Sequence, residues 1–112
     1  AARLAKDGKL TEKLLEGALA GGDRAFVMAG LAELGQIPMP IVDRIVATHA
    51  ARAVTALVWR AGLTMRFAQQ VQLRIAQIPP KTALMARDGV HYPMSDDEMR
   101  WQLAFFGLEE EE

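Results

Sequence analysis

The chain has 112 residues, 51% hydrophobic and 24% charged, with a formal net charge of -1 and no cysteine. That is the size of one compact domain with ample apolar content, and it excludes intrinsic disorder, whose segments are apolar-poor and strongly charged. The missing cysteine excludes a disulfide framework, a thiolate zinc site and a cysteine nucleophile, and it fits a reducing compartment.

Taken in chain order, the punctuation is helical throughout. Lys6, Asp7 and Gly8 read as the end of a helix, with Gly8 where left-handed dihedrals are tolerated. Thr11 is an N-cap for a helix over about 12–20, which buries Leu14, Leu15, Ala18 and Leu19 and ends at Gly21 and Gly22. Asp23 caps the next, about 24–34, with Phe26, Val27, Leu31 and Leu34 at helical spacing and Gly35 as its stop. Pro38 and Pro40 restrict the connection, and Pro40 opens a helix over about 40–48. A helix over about 50–61 ends at Gly62. Thr64 caps another over about 65–78, with a core stripe of Phe67, Val71, Ile75 and Ile78. Pro79 and Pro80 break it, and a short helix over about 80–87 ends at Asp88 and Gly89. Val90 to Met94 is extended, because Pro93 disfavours helix at Tyr92. Ser95 and Glu98 then form a capping box, and Asp96 to Glu98 complement the dipole of a last helix that reaches about Phe106 and stops at Gly107. No alternating strand of four or more residues occurs. The expected fold is all-α, about seven short helices, with helical hairpins in the first half and a compact bundle at the C-terminus. Residues 1–108 form one domain and 109–112 an acidic tail.

The net charge hides an uneven distribution. Residues 1–60 carry eight Lys or Arg against six acids, and residues 61–94 carry four against Asp88. Residues 95–112 carry only Arg100 against seven acids. A mildly basic body therefore meets an acidic end, and neither has the charge density of a dedicated duplex-DNA binder. No segment reaches the run of roughly 18 apolar residues needed to span a bilayer, and the start carries no initiator Met or signal pattern. The chain is expected to be a fragment of a longer protein that does not enter a membrane.

A weak internal repeat runs at a spacing of 27. It pairs Leu14 with Ile41, Leu15 with Val42, Ala18 with Ile45, Leu19 with Val46, Val27 with Val54, Leu31 with Val58 and Gly35 with Gly62. Each unit reads as a helix pair closed by Gly, the kind of unit that α-solenoids stack. Unrelated helix hairpins of similar length would produce the same matches. The stretch from Leu10 to Gly62, with Gly8, Gly35 and the Pro-x-Pro punctuation and the run from Arg52 to Leu63, resembles a bacterial family of helical proteins of unknown function. Members of that family carry tandem HEAT-like helix pairs. The resemblance covers most of 1–107 and implies a C-terminal helical domain of a longer cytoplasmic protein. It brings no catalytic residues and leaves function open.

The inventory for catalysis is poor. His49 and His91 have no partner at metal-ligand spacing, and no HxxxH, HExxH or calcium-loop pattern occurs. His49, at a helix junction, is placed to satisfy carbonyls freed there. Ser95 is the only serine and its capping role explains it. Gly21 and Gly22 lead into a helix, but Asp23 repels an anion there. The expectation is no enzyme, no catalytic or metal-binding residue and no cofactor.

Binding faces are more promising. On the helix over 50–61 the core stripe reads Val54, Leu57 or Val58, and Ala61. The other side carries Thr48, Arg52, Thr55 and Trp59, residue types that include two hot-spot formers. Alternatively, Trp59 packs on the neighbouring helix over 65–78. The last helix has two apolar stripes, Met99, Leu103 and Phe106 on one side and Trp101 and Phe105 on the other, where a surface helix needs one. It is either sandwiched within the domain or offers a face to something outside. These patterns point to a non-catalytic scaffold or interaction module that meets a protein partner or a second copy through Arg52, Trp59, Trp101 and Phe105. The runner-up is nucleic-acid binding by the 64–78 helix through Arg66, Gln69, Gln70 and Arg74, a helix that also offers Gln72.

Overall fold

Side-chain caps set where the helices begin. The structure, a computed structural model, describes residues 11–87 and 91–107. Helix α1 (Glu12–Ala20) starts at Thr11, whose hydroxyl accepts from the Leu14 amide at 3.3 Å. Helix α2 (Arg24–Gly35) starts at Asp23, whose carboxylate accepts from the Phe26 amide at 3.1 Å. Helix α3 (Met39–Ala47) has no side-chain cap; Pro40 stands in its first turn, where a missing N–H goes unmissed. Helix α4 (Ala51–Arg60) follows. Thr64 opens α5 (Met65–Gln70), which continues as a π-helical turn over Val71–Ile75. Helix α6 (Asp96–Phe105) opens with the complete Ser95–Glu98 capping box. Four of the caps were readable from residue type alone.

Among the described residues the architecture is all-α, and the one β feature is an isolated antiparallel bridge between Arg87 and His91. Helix α4 is the hub, packing on α2, α3, α5 and α6. Every residue from Ala53 to Val58 is buried, so the helix has no solvent face over that stretch. The expected stripe of Phe67, Val71, Ile75 and Ile78 lies in the core. Gly30 lets α1 and α2 approach closely, because a Cβ there would stand 2.5 Å from a methyl of the buried Leu15. No single helix among the described residues is long and apolar enough to cross a membrane. Helices α2 and α3 reach that composition only jointly, bent by 118°.

Polar side chains tie distant elements at their ends. The Glu12 carboxylate accepts from the Thr64 amide at 2.7 Å and from its hydroxyl at 3.0 Å, joining α1 to the start of α5. The Arg60 Nε donates to the Gly35 carbonyl at 2.8 Å. At the end of the π turn, the Arg24 guanidinium donates to the Ile75 carbonyl, and the His49 Nδ1 lies 2.5 Å from the Ala76 carbonyl. Such an end leaves carbonyls without intrahelical donors, so His49 does satisfy a freed carbonyl. The Tyr92 hydroxyl donates to the Leu63 carbonyl at 2.7 Å, and burial first, then the nearby Glu12 charge, push its pKa well above the usual phenol value.

Five expectations need correction. Leu14, expected on the buried side of the first helix, is 39% exposed, and only Leu15 and Leu19 of that helix are buried. No helix forms over 80–87: Thr82 and Ala83 make one turn on the Pro79 carbonyl, and the segment then runs extended. Gln72 and Gln69 win the competition for its backbone. The buried Gln72 amide donates to the Leu84 carbonyl at 2.9 Å and accepts from the Leu84 amide at 2.7 Å, and Gln69 accepts from the Ala86 amide at 2.7 Å. The 65–78 helix ends earlier, after the π turn. Helix α2 includes Gly35, and the left-handed residue that closes it is Gln36, at φ 53°. The face carrying Thr55 is covered rather than polar, because α6 packs over it. The expected helix end at Gly8, the stop at Asp88 and Gly89, and the 109–112 tail lie outside the described residues.

The covered Thr55 hydroxyl makes no hydrogen bond. An unsatisfied buried hydroxyl costs about 1–3 kcal/mol. Thr55→Val, which keeps the branched shape, is expected to raise stability by about 1 kcal/mol in chemical denaturation; a loss of stability would mean the hydroxyl has a partner.

Candidate protein-interaction face

Helix α6 is pinned to the hub by one side only. Met99 is 0% and Leu103 2% exposed, and Phe106 is half-buried against the same core. On the opposite side Trp101 is 65% and Phe105 76% exposed, with ring centroids 6.3 Å apart. Phe106 meets Phe105 edge-on at 5.6 Å. Residues four apart on a helix lie above one another, so the two exposed rings form one continuous apolar patch. The second stripe of the last helix therefore faces outward.

The four residues expected at this surface divide. Trp101 and Phe105 form the patch. Arg52 joins it, lining with Met94, Asp97, Glu98, Trp101 and Gln102 a shallow groove of about 250 Å3 along one flank of α6. Trp59 does not: it is half-buried on the other flank, beneath the Arg100 guanidinium, whose carbon lies 5.8 Å from the ring centroid. Arg100 also pairs with Asp97 at 3.2 Å. Trp59 thus fastens α6 to α4, whereas the packing alternative set it against the 65–78 helix. Met94, Asp97 and Gln102 were not singled out from the sequence. The i, i+4 relation of Asp97 to Trp101 was the available signal for one of them.

Electrostatics at the start of α6 are set by the capping box. The Ser95 backbone and side chain, and then Arg52, hold the Glu98 carboxyl below its usual value of 4.5. A carboxyl lowered in the folded state contributes stability that is fully present above the unfolded pKa and is lost as pH falls through the lowered value. Glu98→Gln is therefore expected to melt below the parent at neutral pH. The gap should close as pH drops below about 4.5 and on through the folded-state value, and a gap that persists in acid would break the assignment.

The residues of the nucleic-acid reading are also split. Arg66, Gln70 and Arg74 line a groove of about 260 Å3 with Glu16, Leu19 and Phe67. Gln69 is held by the Ala86 amide, and Gln72 is buried. The polar face left to meet an anion is two arginines and one glutamine, with a carboxylate in the same groove. Elsewhere, His91 exchanges backbone hydrogen bonds of 2.7 and 2.8 Å with Arg87 and its side chain is exposed. Among the described residues no group of three or more His, Asp or Glu could hold a metal ion.

A family model described as "Uncharacterised protein conserved in bacteria (DUF2336)" matches residues 1–104. The chain belongs to that bacterial family. Neither a curated protein nor a solved structure matches it. The DUF2336 match takes in α1 to α5 whole and all but the last residue of α6. It assigns no activity, so function has to be argued from the α6 face itself.

Proposed function

We propose that this DUF2336 domain is a non-catalytic helical scaffold that engages a protein partner through the outer face of α6. The observation that carries this reading is the pair of stacked, mostly exposed rings of Trp101 and Phe105 on a helix whose other side is fully anchored. Exposing two large rings side by side opposes the hydrophobic effect, and aromatic side chains with Arg nearby are the residue types that dominate binding energy at interfaces. The body that presents the face is HEAT-like in this reading. Helices α1 and α2 pack as one pair and α3 and α4 as the next, with α2 against α4. Positions 27 apart also support it, since Leu15 and Val42, Val27 and Val54, and Leu31 and Val58 are all fully buried.

The test is a photo-crosslinker in place of Phe105, with the same group in place of Lys13 as an exposed control, in the bacterium that makes the protein. A discrete protein adduct from position 105 and none from position 13 is expected. The mass of the adduct separates a different protein from a second copy. Equal, diffuse labelling from both positions would refute the reading.

A further inference from the structure

The rim of the aromatic face is acidic, which restricts what can lie on it. Asp97, Trp101 and Phe105 follow one another at intervals of four, so they form one stripe along α6. The Asp97 side chain is 96% exposed, and Asp96 and Glu98 are exposed beside it. In the sequence Glu109 to Glu112 follow shortly after the helix. Two arginines oppose these acids. Arg100 is engaged by Asp97 and the Trp59 ring, and Arg52 lines the groove with Glu98. Over residues 95–112 seven acids stand against one arginine.

This charge pattern sorts the candidate occupants. A second copy laid parallel sets Asp96, Asp97 and Glu98 against themselves. Laid antiparallel, it sets them against residues 101–107, the end of α6 and the turn after it, which offer no Lys or Arg to pair with them. Like charges face each other in the first arrangement and the acids meet no basic side chain in the second, so neither supplies charge complementarity. An anionic membrane or a nucleic acid meets the same repulsion. The exposed face of a helix also offers no unpaired backbone groups to an added strand, so the fitting mode is a helix laid on a helix.

Building on the reading of α6 as a protein-binding face, we propose that its occupant is a basic amphipathic helix of another protein. The apolar stripe of that helix covers Trp101 and Phe105, and its Lys or Arg side chains reach Asp96, Asp97 and Glu98. The rings supply the binding energy, and the carboxylates select the charge of the partner and steer its approach.

The full chain is titrated with three synthetic 18-residue amphipathic peptides built from Leu and Lys, Leu and Gln, or Leu and Glu. Affinity is read from the fluorescence anisotropy of dye-labelled peptide, and the place of binding from the indole N–H signals of Trp101 and Trp59. The Lys peptide is expected to shift Trp101 far more than Trp59, and the Glu peptide to shift neither. Trp101→Ala should weaken the Lys peptide about tenfold or more. Asp96→Asn with Asp97→Asn should weaken it by about threefold to tenfold and flatten its salt dependence, with circular dichroism confirming that α6 stays folded. If the Gln or Glu peptide binds at Trp101 as tightly as the Lys peptide, the basic partner is overturned while the protein-binding face stands. If the Lys peptide fails to bind, or binds equally well to Trp101→Ala, the proposal is overturned. The crosslinking result at position 105 then decides separately whether the face binds protein at all.

Discussion

Leu103→Ala is expected to cost about 3 kcal/mol of stability, within the range of about 2–5 for a buried leucine. Trp101→Ala, two residues away on the same helix, is expected to change stability by less than about 1 kcal/mol. The larger side chain matters less to folding because of where it stands. Leu103 is 2% exposed and fills the seam between α6 and the hub helix, so truncation removes its transfer energy and leaves a cavity. Trp101 is 65% exposed and loses chiefly its contact with Phe105. Urea denaturation of both variants makes the comparison. Equal losses would mean that Trp101 is enclosed in solution, and the docking face on α6 would have to be given up.

Phe67→Ala should be the most damaging single truncation in the body of the domain, at about 3–5 kcal/mol. Phe67 is 1% exposed and is the largest of the fully buried side chains. It comes from the first turns of α5 and borders the same groove as Leu19 and Ala20 of α1. The ring is thus buried beside the groove that α1 and α5 share, while the Glu12–Thr64 hydrogen bonds join the two helices at their starts. Phe67→Leu retains much of the volume and should cost about 1 kcal/mol. Thermal and urea melts of the two variants test this, and an Ala variant as stable as the Leu variant would show that the site collapses without strain.

What could be read from the sequence was what neighbouring residues decide. Thr11, Asp23, Thr64 and Ser95 cap amides three positions ahead, a local exchange that needs no partner from elsewhere. Counting stripes on the last helix marked Trp101 and Phe105 as more than one buried face needs, but left open whether they were sandwiched or turned outward, and the exposure of both rings decides it. What failed was set by contacts far along the chain. A helix over 80–87 has adequate local propensity, but Gln69 and Gln72 take the amides of Ala86 and Leu84 from it. The Thr55 side of α4 looked polar because nothing in the local pattern announces that α6, forty residues on, covers it. The same crossing turned Trp59 from a surface candidate into a fastening under Arg100.

The tethers at the helix ends carry a consequence for how the order of the helices is specified. An apolar stripe of Val, Leu and Ile packs acceptably on many others, so burial alone draws the helices together without fixing which meets which. Arg60 on the Gly35 carbonyl, Arg24 on the Ile75 carbonyl and His49 on the Ala76 carbonyl each join residues 25, 51 and 27 positions apart. Each reaches a carbonyl at or beside a helix terminus. A shifted stacking would preserve most of the greasy contact and strand all three acceptors. In this domain the core supplies cohesion, and a few end-of-helix cross-links act as the address labels that make one arrangement the native one.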